Sequence, residues 1–164
     1  MAKHSNHLLI TTLGDLLRAK DQFCTIAESC TGGLIAATIT NYSGCSKWFD
    51  SAFITYSNEA KCKILGISPQ LIQTHGAVSQ ETAMAMAQAA LSNTQAAISV
   101  AVTGIAGPTG GTTQKPVGTI WFAWASHHHP THSVLQTLSG STTHIRQRCV
   151  VLALEGLIER AKLL

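Results

Sequence analysis

Charge is scarce in this chain. Only 12% of its 164 residues are charged, the net charge is +3 with histidine neutral, and the basic side chains are scattered. Without a basic patch or stripe, binding to nucleic acid is not expected. No apolar run approaches the roughly 20 residues that span a bilayer, so no membrane partner is expected either. The opening MAKHSNHLLITTLGDLL lacks a secretory layout: Thr11, Thr12, Gly14 and Asp15 interrupt its apolar stretch, and no small-residue cleavage site follows. Cys-x-x-Cys is absent as well. The five cysteines (Cys24, Cys30, Cys45, Cys62 and Cys149) are odd in number and dispersed. That argues against a disulfide framework or zinc knuckle and for reduced thiols in a cytoplasmic protein. Neither GxGxxG nor GxxxxGK[ST] occurs.

Apolar residues are plentiful, at 45%. That excludes a disordered chain, and the length suits one domain over 1–164 with a single sizeable core. Leu8, Leu9, Thr12, Leu13, Leu16 and Leu17 recur at helical spacing and predict an amphipathic helix over 6–20. FCTIA at 23–27 predicts a buried strand, and LIAATITNY after it a helix packed through small residues. A strand over 51–57 and a short helix over 57–66, opened by Asn58 and closed by a glycine, come next. The alanine-rich 79–92 predicts a helix in which Met84 and Met86 fill the core. A continuous apolar strand spans 96–104, a Gly/Pro-rich loop 105–116, and strands over 117–125 and 132–140 form a hairpin. From 142 to 163 the pattern is helical again. This order predicts an α/β protein: a three-layer α/β/α sandwich around a mixed sheet of about five strands.

In such sheets ligands bind beyond the carboxyl ends of the strands. Three polar segments follow strands here: ESCTGG, TYSNEAK and TGIAGPTGG. Parallel strands would gather all three at one edge. In the first, Ser29 stands at a strand-to-helix turn, and the N–H groups of Cys30, Thr31, Gly32 and Gly33 are expected to point at an oxyanion or phosphate. The competing reading is that Ser29 or Thr31 only caps the helix. Glu28 beside them reads equally as a base or as a structural partner. Cys30 is a second candidate nucleophile, because a helix start lowers a thiol's pKa, but no histidine lies in the three loops, with only His75 nearby, so a Cys-His pair lacks a clear base. The second segment supplies Tyr56 and Lys61. With Asn58 as cap, Lys61 falls at the third helical position, where the helix dipole and partial burial would favour a neutral amine able to act as base to a serine. Lys63, two residues on, faces elsewhere. The third segment brings backbone of close approach beside Thr103, followed by Lys115. The His127, His128, His129 and His132 run reads as a solvated turn, so no metal site is expected.

Taken together, AESCTGG, the run from WFDSAFITYSNEAK through LGI to HGAVS, and SVAVTGIAGPTGG followed by KPVGTIWFAWA resemble the CinA C-terminal domain family and, within it, the stand-alone nicotinamide-nucleotide amidohydrolases. The likeness runs from about residue 8 to 160. It implies an α/β/α fold and hydrolysis of nicotinamide mononucleotide (NMN) to nicotinate mononucleotide and ammonia, in pyridine nucleotide recycling, without metal or other cofactor. Carried over by position, it implies Ser29 as nucleophile, Lys61 as base and Tyr56 as the partner of Lys61. Thr103, Gly104, Ala106 and Gly107 are then expected to line the nucleotide pocket. Arg146 and Lys115 are the expected phosphate contacts. A homodimer is expected from the family and from the prevalence of two-fold dimers. The family's long members carry a further N-terminal domain, for which 164 residues leave no room. One departure stands out: GSTTHIR keeps Gly140 and Arg146 but has Ser141 and Thr142 where the family often shows Asp-Arg. That loss favours an alternative, a non-catalytic nucleotide-binding domain linked to competence or DNA-damage responses. A nucleotide kinase is disfavoured, since the Walker lysine-serine and an evident magnesium-binding carboxylate pair are both missing.

Overall fold

Alternation of large and small apolar residues along the central strands decides the architecture. The protein, as a computed structural model, is described over residues 2–164, with side chains described from Asn6 onward. Five strands, β1 (Cys24–Glu28), β2 (Phe49–Ile54), β3 (Ile98–Gly104), β4 (Thr119–Ser126) and β5 (His132–Thr137), form one sheet in the order β2-β1-β3-β4-β5. β1 is parallel to β2 and β3, whereas β4 pairs antiparallel with both β3 and β5. Ile26, Val100, Val102, Ile120 and Phe122 project into one core, covered by α1 (Ala2–Ala19), α2 (Leu34–Thr40) and α6 (Thr142–Lys162). Ala27, Ala101, Ala123 and Ala125 project to the other face, covered by α3 (Asn58–Leu65), α4 (Pro69–His75) and α5 (Gln80–Ser92). The alanine face lets α5 approach closely, near enough for Ser99 Oγ to donate to the Ala87 carbonyl at 2.7 Å. Met86 is fully buried against that face and Met84 packs at its margin, as core filler.

The three-layer mixed sandwich is the predicted fold, with several boundaries moved. β2 ends at Ile54, so Tyr56 and Ser57 leave the strand. Ser57, not Asn58, caps α3: its Oγ accepts the Ala60 N–H, which puts Lys61 at the fourth helical position. The hairpin's open end is shorter than predicted, with β4 starting at Thr119 and β5 ending at Thr137; beside it Gly118 has φ +96°, and an added Cβ there would collide with the Leu138 carbonyl oxygen. Helix α4 has no counterpart in the sequence reading. Its signals are Pro69 in the first turn, where a missing N–H costs nothing, and Gly76 at its end. On α6, Gly156 is occupied from outside: the Trp124 indole lies where its Cβ would go and donates to the Ala153 carbonyl at 3.2 Å. Among the described residues, no helix is long and apolar enough to cross a membrane.

Candidate active site

Parallel pairing sets Glu28 beside Ile54 on one side and Val102 on the other, so the segments following β1, β2 and β3 leave the sheet at the same edge. Glu28 itself is fully buried. Its carboxylate turns back to accept the Gly33 N–H at 3.0 Å, the Ile35 N–H at 3.2 Å and the Ala36 N–H at 2.9 Å. Helix α2 begins at a glycine with no side chain to cap it, and Glu28 satisfies those donors instead. Neither Ser29 nor Thr31 caps the helix. Glu28 is therefore a structural partner, and the Ser29 hydroxyl is left for other work.

The same geometry corrects the expected row of donors. The Gly33 N–H belongs to Glu28, and the Gly32 N–H donates to the Ser29 carbonyl at 3.0 Å. Among the described residues, the Cys30 and Thr31 N–H groups have no acceptor. Arg146 Nε donates to the Cys30 carbonyl at 2.9 Å. Because a trans peptide points its C=O and N–H opposite ways, this contact turns the Thr31 N–H away from Arg146.

Lys61 is fully buried, at 1% exposure, and with Phe122 is among the largest side chains that are. Its Nζ lies 2.8 Å from the Thr55 carbonyl, 3.4 Å from the Tyr56 carbonyl and 2.9 Å from Ser29 Oγ. No carboxylate pairs with it among the described residues. Burial pushes its pKa below the ordinary lysine value, opposed by the nearby Cys30 and Cys62 thiols. The contacts then sort by chemistry. Carbonyls only accept, so a neutral amine here would give its two N–H bonds to the two of them and leave its lone pair for the one neighbour that can donate, the Ser29 hydroxyl. Lys63, by contrast, is exposed and pairs with Glu59. Tyr56 meets Lys61 through its main-chain carbonyl. The phenol is two-thirds exposed and makes no hydrogen bond to the amine, so the expected side-chain partnership is replaced by a main-chain one.

Ser29, Cys30, Tyr56 and Lys61 line one side of a cavity of about 280 Å³. Thr103, Gly104 and the loop from Ile105 to Gly107, with Thr109 and Gly110, line another. Close packing fixes this loop's root, since a Cβ at Gly104 would lie 2.6 Å from the Thr119 carbonyl oxygen and one at Gly107 2.6 Å from Val117. Ala77 and Val78, between α4 and α5, close the cavity. The sequence reading missed both as wall residues, along with Ile105, Thr109 and Gly110. The signal for Ala77 and Val78 was the HGAVS string, in which these two residues carry no polar side chain to draw attention. Thr103 Oγ1 donates to the Ala77 carbonyl at 2.8 Å, so this threonine builds the wall as well as lining it.

Other expected contacts lie elsewhere. Thr31, Gly32 and Gly33 line a separate cavity with Arg146, on the α6 side of the same turn. Lys115 is not among the residues lining the first cavity; its Nζ donates to the Val78 carbonyl at 2.7 Å. Ser141, at the departure from the family pattern, is the cap of α6 and accepts the His144 N–H. His127 and His129 turn to the Ala96 and Leu163 carbonyls, far along the chain from these loops.

Comparison with known proteins identifies the family. The model of the CinA C-terminal domain matches residues 6–161. Nicotinamide-nucleotide amidohydrolase PncC of Enterobacter agglomerans is 43% identical over 155 residues, 94% of either chain. The protein of the same name from Escherichia coli (strain K12) is 41% identical over 145 residues, 88% of either chain. Among solved structures, the competence/damage inducible protein CihA from Agrobacterium tumefaciens superposes with a TM-score of 0.89 at 38% identity, covering 96% of this chain and 94% of that one. The family match spans nearly the whole chain and both sides of the cavity, and the chain belongs to the CinA C-terminal domain family.

Proposed function

We propose that the protein is an amidohydrolase that cleaves the carboxamide of nicotinamide mononucleotide, with Ser29 as nucleophile and Lys61 as its general base. The observation that carries this reading is the desolvated lysine whose lone pair is directed, by elimination, at the Ser29 hydroxyl. The activity named for the 41–43% identical relatives supplies the substrate. Ser29 Oγ attacks the amide carbon while Lys61 Nζ takes the hydroxyl proton. The Cys30 and Thr31 N–H groups receive the developing oxyanion, each such donor being worth about 3 kcal/mol. Arg146, by holding the Cys30 carbonyl, keeps the Thr31 donor aimed. Lys61 passes the proton to the amide nitrogen, which leaves as ammonia. Water, deprotonated by the same amine, then attacks the Ser29 ester and releases nicotinate mononucleotide, a step of pyridine nucleotide recycling. Tyr56 orients Lys61 through its carbonyl, and its ring stands at the mouth.

Ammonia release from NMN tests the assignment. Wild type is expected to turn over, with Ser29→Ala reduced to background and Cys30→Ala retaining most activity. Unchanged turnover in Ser29→Ala would sink the mechanism. Loss in Cys30→Ala alone would move the nucleophile by one residue. Binding of NMN without ammonia release by wild type would support a regulatory domain instead.

A further inference from the structure

The residue that the sequence offered as a phosphate contact holds something else. Ala77 and Val78 form one wall of the cavity, and each carbonyl from Gly76 to Val78 is held. The Ser79 and Thr82 hydroxyls donate to Gly76, Thr103 Oγ1 donates to Ala77, and Lys115 Nζ donates to Val78. Ser79, Thr82 and Thr103 sit at α5 and on β3, elements that packing already fixes. Lys115 alone comes from the glycine-rich loop, the wall opposite. Between Ala106 and Gly111, no main-chain hydrogen bond ties that loop down among the described residues. Next to Lys115 it closes in a reciprocal turn: the Thr112 N–H donates to the Lys115 carbonyl at 2.9 Å, and the Lys115 N–H to Thr112 Oγ1 at 3.0 Å. Lys115 is half-buried, and its ammonium makes no ion pair among the described residues.

We propose that Lys115 is a positioning residue, a clasp that ties the glycine-rich loop to residues 77–78 and so fixes the width of the slot that receives the substrate. As a statement about substrate binding this rests on the amidohydrolase reading; as a statement about the loop it does not. A charged donor on a neutral carbonyl is a strong tether for one contact. It acts on both walls at once, so removing it loosens the slot for any ligand that spans them, whatever charge the ligand carries. A phosphate contact would behave differently, because only a phosphorylated ligand would notice its loss.

Two variants separate these cases. Lys115→Met keeps the length and removes the donor; Lys115→Arg keeps a donor. In the ligand-free protein, amide hydrogen exchange at Thr112 and Lys115 and across 77–79 is expected to quicken about tenfold in the methionine variant and to return towards wild type in the arginine variant. Binding is measured by calorimetry in a Ser29→Ala background, where nothing turns over. NMN and nicotinamide riboside, which differ by the phosphate, are expected to weaken by the same factor, again about tenfold. Kinetically, KM for NMN rises while kcat stays within about twofold. Unchanged exchange in the methionine variant would overturn the clasp. Weaker NMN with unchanged riboside would overturn it too, and make Lys115 a phosphate contact. If wild type releases no ammonia from NMN, the amidohydrolase reading fails, and the exchange measurement still decides the clasp.

Discussion

At the residue scale the chemistry turns on one amine. Lys61 has no counter-ion among the described residues and is fully buried, so its ammonium is disfavoured where the side chain faces Ser29. The rate should then carry the titration of Lys61. We expect kcat/KM for NMN to rise with pH and level off, with an apparent pKa below the ordinary lysine value of about 10.4. Lys61→Arg keeps a cation that does not deprotonate, and turnover should fall by roughly 10²–10⁴-fold across that whole range. A profile without a rising limb, or an active arginine variant, would remove Lys61 as the base. Ser29 and Lys61 were legible in the sequence because each follows a strand, and parallel strands bring such positions together without any side-chain detail. Glu28 was not. An acid next to a serine reads as base or as scaffold until the direction of its side chain is known. Arg146, expected at a phosphate, also sets its Nε on the Cys30 carbonyl, a contact between residues 116 apart in the chain that no local pattern encodes.

At the scale of elements, the decisive device is the start of α2. Its seven residues follow the N-cap Gly33, with φ +95°, and nothing in the helix itself ends its row of free N–H groups. One buried carboxylate does so, reaching from the end of β1 across the turn that carries Ser29. Glu28→Gln keeps the size and replaces one acceptor oxygen by an NH₂ that must face backbone donors. We expect a stability loss of about 2 kcal/mol in urea unfolding, with amidase activity falling further than the folded fraction, because the Cys30 and Thr31 donors sit in the turn that Glu28 spans. A variant as stable and as active as wild type would show that the cap is dispensable. Elements also mark where sequence patterns stop working. The long helices α1, α5 and α6 show their periods plainly. Helix α4 has seven residues, too few for a period, and only Pro69 and Gly76 announce it. The predicted end of β2 falls late because Thr55 and Tyr56 are good strand formers; Ser57 caps α3 instead, and that cap moves Lys61 one position along the helix.

At the scale of the whole molecule, the site and the stability of the fold oppose each other. The unfolded chain has Lys61 in water with its ordinary pKa, while in the fold burial lowers it. Between the two values the unfolded state holds more protons than the folded one, so stability rises with pH through that window. Below the lowered value both states are protonated and the desolvation penalty is fully present. Above the ordinary value both are neutral and the penalty has gone. Lys61→Met removes the titration and leaves the Thr55 and Tyr56 carbonyls without their donor, a loss that does not depend on pH. The difference in unfolding free energy between wild type and Lys61→Met, measured by urea from neutral pH to above about 10.4, should therefore shift in favour of wild type as pH rises. Parallel profiles would mean that folding does not perturb the amine, and the argument for a neutral base at Ser29 would go with it. The slope is informative because it needs no substrate: it reads in the folding equilibrium the same proton that catalysis requires Lys61 to have given up.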